Sequence, residues 1–408
     1  MTPTITFFPV DNGDMTLISL GDSSDTKILI DCNIRQAADN PDDVTRDVAA
    51  DLRKRIKLDE KGRPYVDVFV LSHPDVDHCR GLARHFYLGA PADYPDDRKP
   101  TSEKRIIIRE IWSSPMIFRR ACKEHVLSSD AIDFNREAKR RVKVNRESGF
   151  NVVGGNRILI LGEDEDGKTD DLQPILVYVD DLITEINAST SLRFAARLLA
   201  PLPKTDEGIE EVLGKNHSSV ILNIELTPDD LSSETFSFLT GGDAEVAIWE
   251  MLWNKHEDDP SVLEYDLMQT PHHCSWHALS YDSWSELHNR AEVSEAARFA
   301  LGQSRNGAKI VSSSCAIRDD DNDPPCYGAK RIYESIASVA NGKFYCTGEY
   351  PSTAAVEPLE FVLTDKGFEV RPLTMAASRA SLLRNPVTST GLSFPNKPLV
   401  PNKPQGFA

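Results

Sequence analysis

The segment LSHPDVDHCRG, residues 71–81, concentrates the side chains best able to hold a cation. His73, Asp75, Asp77 and His78 fall within six positions, directly after an apolar run. Imidazole suits zinc, manganese and iron, whereas carboxylates take harder ions or bridge two of them. Three further places repeat the theme: Asp243 follows FSFLTGG, His272 and His273 follow DLMQTP, and His217 begins HSSVILNIEL. Each stands at one end of a stretch that reads as a β-strand. A shared dinuclear site at a sheet edge requires such a convergence of strand ends, each offering a ligand. His85, His125, His256 and His288 lack this setting and read as surface or core residues.

The elements that must position these side chains are legible as alternating strands and helices. ITFFPV, MTLISL and ILIDC predict a meander over residues 4–32, with DNGD as a turn. Residues 43–57 show helical spacing, and VDVFVLS (66–72) reads as a buried strand leading into GLARHFYL, a predicted helix. Strands are expected at 106–114, 157–163, 217–226 and 236–240, and again in DLMQTP, RFALG and AKIVSSS. Helices are expected in DFNREAKRRVKVNRES, EVAIWEMLWNK and AKRIYESIASV. The pattern is that of an α/β protein, in which catalytic groups collect at the C-terminal ends of strands.

Composition narrows the class. The chain has 408 residues and a net charge of −18. No apolar run reaches the roughly 18 residues of a membrane span, and the start lacks a secretory pattern, so a cytoplasmic setting and no membrane partner are expected. Seven scattered cysteines without a CxxC pair read as free thiols. The acidic balance disfavours general coating of nucleic acid. Residues 98–146 nevertheless carry 14 Lys/Arg against 6 Asp/Glu, which is either a phosphate-facing surface or a solvated helix face. Residues 376–408, with PNKP at 395–398 and 401–404, have the composition of a Pro-rich tail, flexible or partner-binding.

HPDVDH, TGGDAE and TPHHCS together resemble the metallo-β-lactamase superfamily, in particular the ComEC-type competence hydrolase domain, with its SHPDADH, GDAE and PHHGS. FFPVDNGDMTLI is similar to that branch's FLDVGQGDATLI, ILIDC to its ILIDTG, and NHSSVIL to its N-x-S-x-V-L strand. AKIVSSS, NDPPCYGAK and FYCTGE resemble its last segment. The order holds from about residue 5 to about residue 372, with an insertion near 86–150. The resemblance implies a metallo-β-lactamase-like αββα sandwich over residues 1–375, carrying a helical, basic insertion. It implies two divalent ions, zinc or manganese, held by His73, Asp75, Asp77, His78, Asp243 and His273, with Asp243 bridging. His273 is preferred over His272 because the ligand in many members is third in a P-x-H run. His217 falls where other branches carry a histidine ligand. Asp75 stands where the common pattern has a second histidine, which enriches the site in oxygen and favours manganese. Cys274 replaces the usual glycine and reads as a buried thiol. The late histidine of the YGHP segment is absent from CYGAK.

The same resemblance implies a hydrolase. Asp77 would orient the attacking water and bind metal as well. Asp31 would fix a histidine, Asp14 would do likewise or simply make a turn, and His272 and His277 would support the site or touch substrate. The resemblance favours phosphodiester cleavage of a nucleic acid or nucleotide. The acidic charge and the lack of aromatics in the basic run point to a short, single-stranded or cyclic substrate, or to a partner subunit that grips the polymer. An effector of a bacterial defence or DNA-processing assembly would suit such a chain. The alternatives are a hydrolase of a lactone, thioester or phosphocholine type of ester, and a non-catalytic regulatory subunit that retains the fold.

Overall fold

The Pro64–Leu71 strand, PYVDVFVL, is buried at every residue, so its sequence runs almost continuously apolar rather than alternating. In the computed structural model it lies parallel to Lys27–Ile30 on one side and to Ile106–Ser113 on the other. The structure describes residues 2–40, 42–119, 126–203 and 214–373, and Met1–Arg371 forms one compact unit. The first sheet runs Gly367–Val370, Leu359–Thr364, Thr4–Phe7, Thr16–Ser19, Lys27–Ile30, Pro64–Leu71, Ile106–Ser113, Arg157–Leu161, Leu176–Val177. Its first five strands are antiparallel, including the expected meander, and the rest continue in parallel. The second sheet is also mixed. Leu182–Ile183, Phe194–Ala200, Ile221–Leu226 and Phe236–Leu239 are antiparallel, then Tyr265–Gln269, Ser304–Ser312 and Lys343–Cys346 run parallel.

The inner faces of the two sheets share one apolar core. Phe7 meets Phe238 edge-on at 5.8 Å, Trp112 lies 6.0 Å from Phe194, and Tyr345 meets Phe361 at 5.5 Å. Helices cover other faces. Ser129–Glu147, capped by Ser128, sets Phe134 6.0 Å from Phe69. Val246–His256, Glu295–Leu301 and Tyr327–Val339 form a second core with Met268 and Ile310 of the second sheet. No helix among the described residues is long and apolar enough to cross a membrane.

Two local expectations are corrected. RFALG is not a strand: it completes the helix Glu295–Leu301, capped by Ser294, which buries Ala297, Ala300 and Leu301 at helical spacing. The helix expected over 43–57 contracts to Val48–Arg53, where Asp47 accepts from the Ala50 amide. Within the span read as an insertion, Ile106–Ser113 is an inner strand of the first sheet. The basic run is largely paired. Arg105, Arg109, Arg119, Arg136, Arg140, Arg141 and Arg146 each face a carboxylate. Arg141 is buried and donates to the Ile108 and Arg157 carbonyls, tying its helix to the sheet. The six described cysteines are free thiols, whereas Cys122, His125 and the Pro-rich tail lie outside the described residues.

Candidate metal centre

Both sheets send the C-terminal ends of strands to one place. Pro64–Leu71 runs into Ser72, His73, Asp75, Asp77 and His78, and Lys27–Ile30 ends at Asp31. From the second sheet, Phe236–Leu239 leads to Gly241, Gly242 and Asp243, and Tyr265–Gln269 leads to His272 and His273. The Val220 amide donates to the Ser72 carbonyl and so ties the two sheets together here. Beside it, the Asp243 amide donates to Ser219 Oγ at 3.0 Å. Gly241 permits Pro271 to pack against it, since a Cβ there would lie 2.8 Å from the proline Cα. His272, His273 and Cys274 all have positive φ, at 49°, 52° and 68°. Three successive left-handed non-glycine residues cost roughly 1–3 kcal/mol each, a strain the surrounding contacts hold. The His272 amide donates to Gly242 O and the Cys326 amide to Cys274 O. The position at which Cys274 departs from the glycine of the similar pattern is therefore one where glycine would be unstrained.

The side chains converge on Asp243. His78 places Nε2 2.9 Å from Asp243 Oδ1, while its Nδ1 lies 2.9 Å from Asp31 Oδ2. His273 Nε2 lies 3.4 Å from the same Asp243 oxygen and 3.3 Å from Asp77 Oδ2. His73 Nδ1 is 3.7 Å from Asp243 Oδ2 and 3.9 Å from Asp75 Oδ2. Four sets of donor atoms lie within 4.8 Å of one another: His73, His78, Asp243; Asp77, His78, His273; Asp14, Asp31, His78; and Asp14, Asp243, His273. His73, His78, Asp243, His273, Asp14 and Asp31 are buried, whereas Asp77 keeps 28% of its side chain exposed. Both ring nitrogens of His73 and of His273, and Oδ1 of Asp14, are buried without a hydrogen-bond partner in the protein. Buried polar atoms are nearly always satisfied, and a cation among them satisfies imidazole lone pairs and carboxylates together. These buried groups are thus able to hold a metal ion.

Electrostatics fit that use. Five carboxylates, Asp14, Asp31, Asp75, Asp77 and Asp243, face three imidazoles. Burial pushes the His78 imidazole down, but Asp243 and Asp31 outweigh it and hold the group well above its ordinary range. His273 is likewise held well above it, burial being outweighed by Asp243 and Asp14. Burial wins at His73, which is held below the imidazole range. Burial raises Asp31 despite His78 beside it. At Asp243 the imidazoles of His78, His272 and His273 overcome burial and hold the carboxyl well below its ordinary value. Without metal, these directions favour protonated His78 and His273, and a cation must displace those protons. Uptake is expected to release about one to two protons and to tighten as pH rises from about 6 to 8. Calorimetry in buffers of different ionisation enthalpy measures this, and a pH-independent affinity without proton release would contradict it.

Not every expected residue reaches the centre. Asp75 joins it only at its edge, 3.9 Å from His73, and enters none of the four sets. His272 Nδ1 is 3.9 Å from Glu245 Oε1, and His217 Nε2 is 3.8 Å from Glu245 Oε2. His217 Nδ1 accepts from the Gly214 amide at 2.9 Å, so neither nitrogen enters the four sets. His277 is 45% exposed, lies 3.9 Å from Asp323 and enters none of the four sets. Ser72, Ser219 and Glu245 belong to the surroundings of the centre without standing out in the sequence. Ser72 donates its amide and its hydroxyl to Asp31, and its only sequence signal is its place just before HPDVDH. No protein-family model matches the chain, and no curated protein matches it in sequence.

Proposed function

We propose that this chain is a metal-dependent hydrolase of the metallo-β-lactamase type, similar to the ComEC-type domain, and that it cleaves phosphodiesters. The observation that carries the reading is the convergence of His73, Asp77, His78, Asp243 and His273 from three separate loops and two sheets, with both ring nitrogens of His73 and of His273 buried and without a hydrogen-bond partner. Two mixed sheets around one core with helices packed outside support assignment as an αββα sandwich. His73 and Asp75 would serve one ion, Asp77, His78 and His273 a second, and Asp243 both. Zinc or manganese bound there supplies Lewis acidity and a water acidic enough to ionise near neutral pH. Asp75 makes the His73 side richer in oxygen, which favours manganese. Asp77, the most open of the carboxylates at 28%, would orient the attacking water while holding the metal. Asp31 keeps the His78 ring turned toward Asp243.

The test is hydrolysis of single-stranded DNA, duplex DNA, RNA and cyclic dinucleotides with manganese or zinc, wild type against Asp77→Ala. Loss of a group that positions the nucleophile costs about 10²-fold or more, so the variant is expected to fall by at least that factor. Equal rates for the two proteins would remove the mechanism. A second reading is favoured by the paired arginines of the basic run. These offer little free positive charge to a long polymer. They fit a small substrate better, either a cyclic or short nucleotide or a non-nucleic ester. Turnover of a generic phosphodiester or lactone with no cleavage of DNA or RNA would select that reading.

A further inference from the structure

We propose that Asp14 is the positioning residue of His273, a role that rests on the metal-centre reading above. Its segment, DNGD, has the composition of a simple turn between Thr4–Phe7 and Thr16–Ser19. The structure gives it much more to do. The Asp14 amide donates to the Asp77 carbonyl at 3.1 Å. Ser313 Oγ donates to Gly13 O at 2.7 Å, the Cys315 amide to Asn12 Oδ1 at 3.1 Å, and Asn12 Nδ2 to Pro324 O at 3.0 Å. Gly13 has φ +147°, and a Cβ there would lie 2.0 Å from Asn33 Nδ2 and 2.8 Å from Asp77 O. The turn is therefore pressed against the metal-side loop and clamped from the second sheet. The product of this clamping is the placement of one carboxylate: Asp14 is 2% exposed.

Asp14 Oδ1 lies 3.3 Å from His273 Nδ1, and Oδ2 lies 3.9 Å from His78 Nδ1. The opposite nitrogen of His273 faces Asp77 and Asp243. The arrangement resembles the neighbouring one, in which Asp31 is hydrogen-bonded to His78 Nδ1 at 2.9 Å and Nε2 faces the same oxygen of Asp243, although Asp14 and His273 stand 3.3 Å apart without hydrogen-bond geometry. A carboxylate on one ring nitrogen keeps the proton there, so the other nitrogen presents its lone pair to a cation. Two imidazoles from different sheets are thus steered by separate carboxylates onto one oxygen. His73 differs, because the carboxylates nearest its Nδ1, Asp75 and Asp243, are themselves on the cation side. Asp14 also groups with Asp243 and His273 closely enough to ligate metal itself, and that is the rival to be separated.

The test is metal titration of the full chain, manganese or zinc against a competing chelator, for wild type, Asp14→Ala and Asp14→Asn, with circular dichroism as the check on folding. Removing such a support costs about 10–100-fold in metal affinity, and Asp14→Ala is expected to lose that much. Asp14→Asn keeps an oxygen for the Nδ1 proton and is expected to lose clearly less affinity than the alanine variant. Wild-type affinity in Asp14→Ala overturns the proposal, and so does an asparagine variant as weak as the alanine one, which would make Asp14 a ligand. Should Asp14→Ala not fold, nitrogen NMR of the zinc-loaded wild type decides. A proton on His273 Nδ1 is expected, and a proton on Nε2 overturns the role. A wild type that takes up no metal fails at the first titration, which separates loss of the centre from loss of Asp14's role.

Discussion

Exchange of Asp243 for alanine is expected to lower hydrolysis about 10⁴-fold and to strip most of the bound metal. The several kcal/mol of transition-state charge stabilisation that metal supplies leave with it. No other carboxylate of the centre faces all three imidazoles, with contacts at 2.9 Å to His78, 3.4 Å to His273 and 3.7 Å to His73. Its removal also leaves two raised-pKa imidazoles, His78 and His273, without their nearest shared counter-charge. The measurement is metal content together with turnover on the best substrate. A variant that keeps its metal and loses under tenfold in rate would show that Asp243 is not the hub.

Asp31→Ala is expected to destabilise the metal-free protein by about 3–5 kcal/mol, the range for removing one member of a buried charged pair. Asp31 is fully buried and receives the Ser72 amide at 2.8 Å, the Ser72 hydroxyl and His78 Nδ1 at 2.9 Å. Truncation orphans all of these at once. It also puts alanine at φ +57°, where aspartate is better tolerated. Asp31→Asn keeps the shape and an acceptor oxygen and is expected to lose less. Urea unfolding of the metal-free variants measures both, and a loss below about 1 kcal/mol for alanine, the level of an ordinary hydrogen bond, would mean that His78 needs no support from behind.

The parts of the centre legible in the sequence are those whose density is local. HPDVDH announces itself because four ligand side chains, two histidines and two aspartates, crowd one loop, and Asp243 and His273 because each follows an apolar strand within a few residues. Asp14 does not separate from a turn in the sequence, since Asn-Gly is a turn signal in any context, and its contacts with His273 and Asp77 are tertiary. His217 lies in the 3-10 turn Lys215–Ser218 ahead of the strand Ile221–Leu226, where its Nδ1 accepts from the Gly214 amide and its Nε2 lies 3.8 Å from Glu245. Neither contact has a sequence signature. His277 is four residues from His273 yet faces Asp323, beyond the left-handed run at 272–274. RFALG shows the ordinary limit of pattern reading: a short apolar run fits a strand or a buried helix face, and the Ser294 cap together with the helix packed beside it decides.

Whether these loops hold metal is decided by diffraction from crystals grown with manganese or zinc, with data collected at the metal's absorption edge. Anomalous density is predicted among His78 Nε2, His273 Nε2, Asp77 and Asp243, at metal–ligand distances of about 2.0–2.2 Å, with further density beside His73 and Asp75. Density confined to other parts of the surface, or none in crystals that hold excess metal, would contradict a metal centre at this junction of the two sheets.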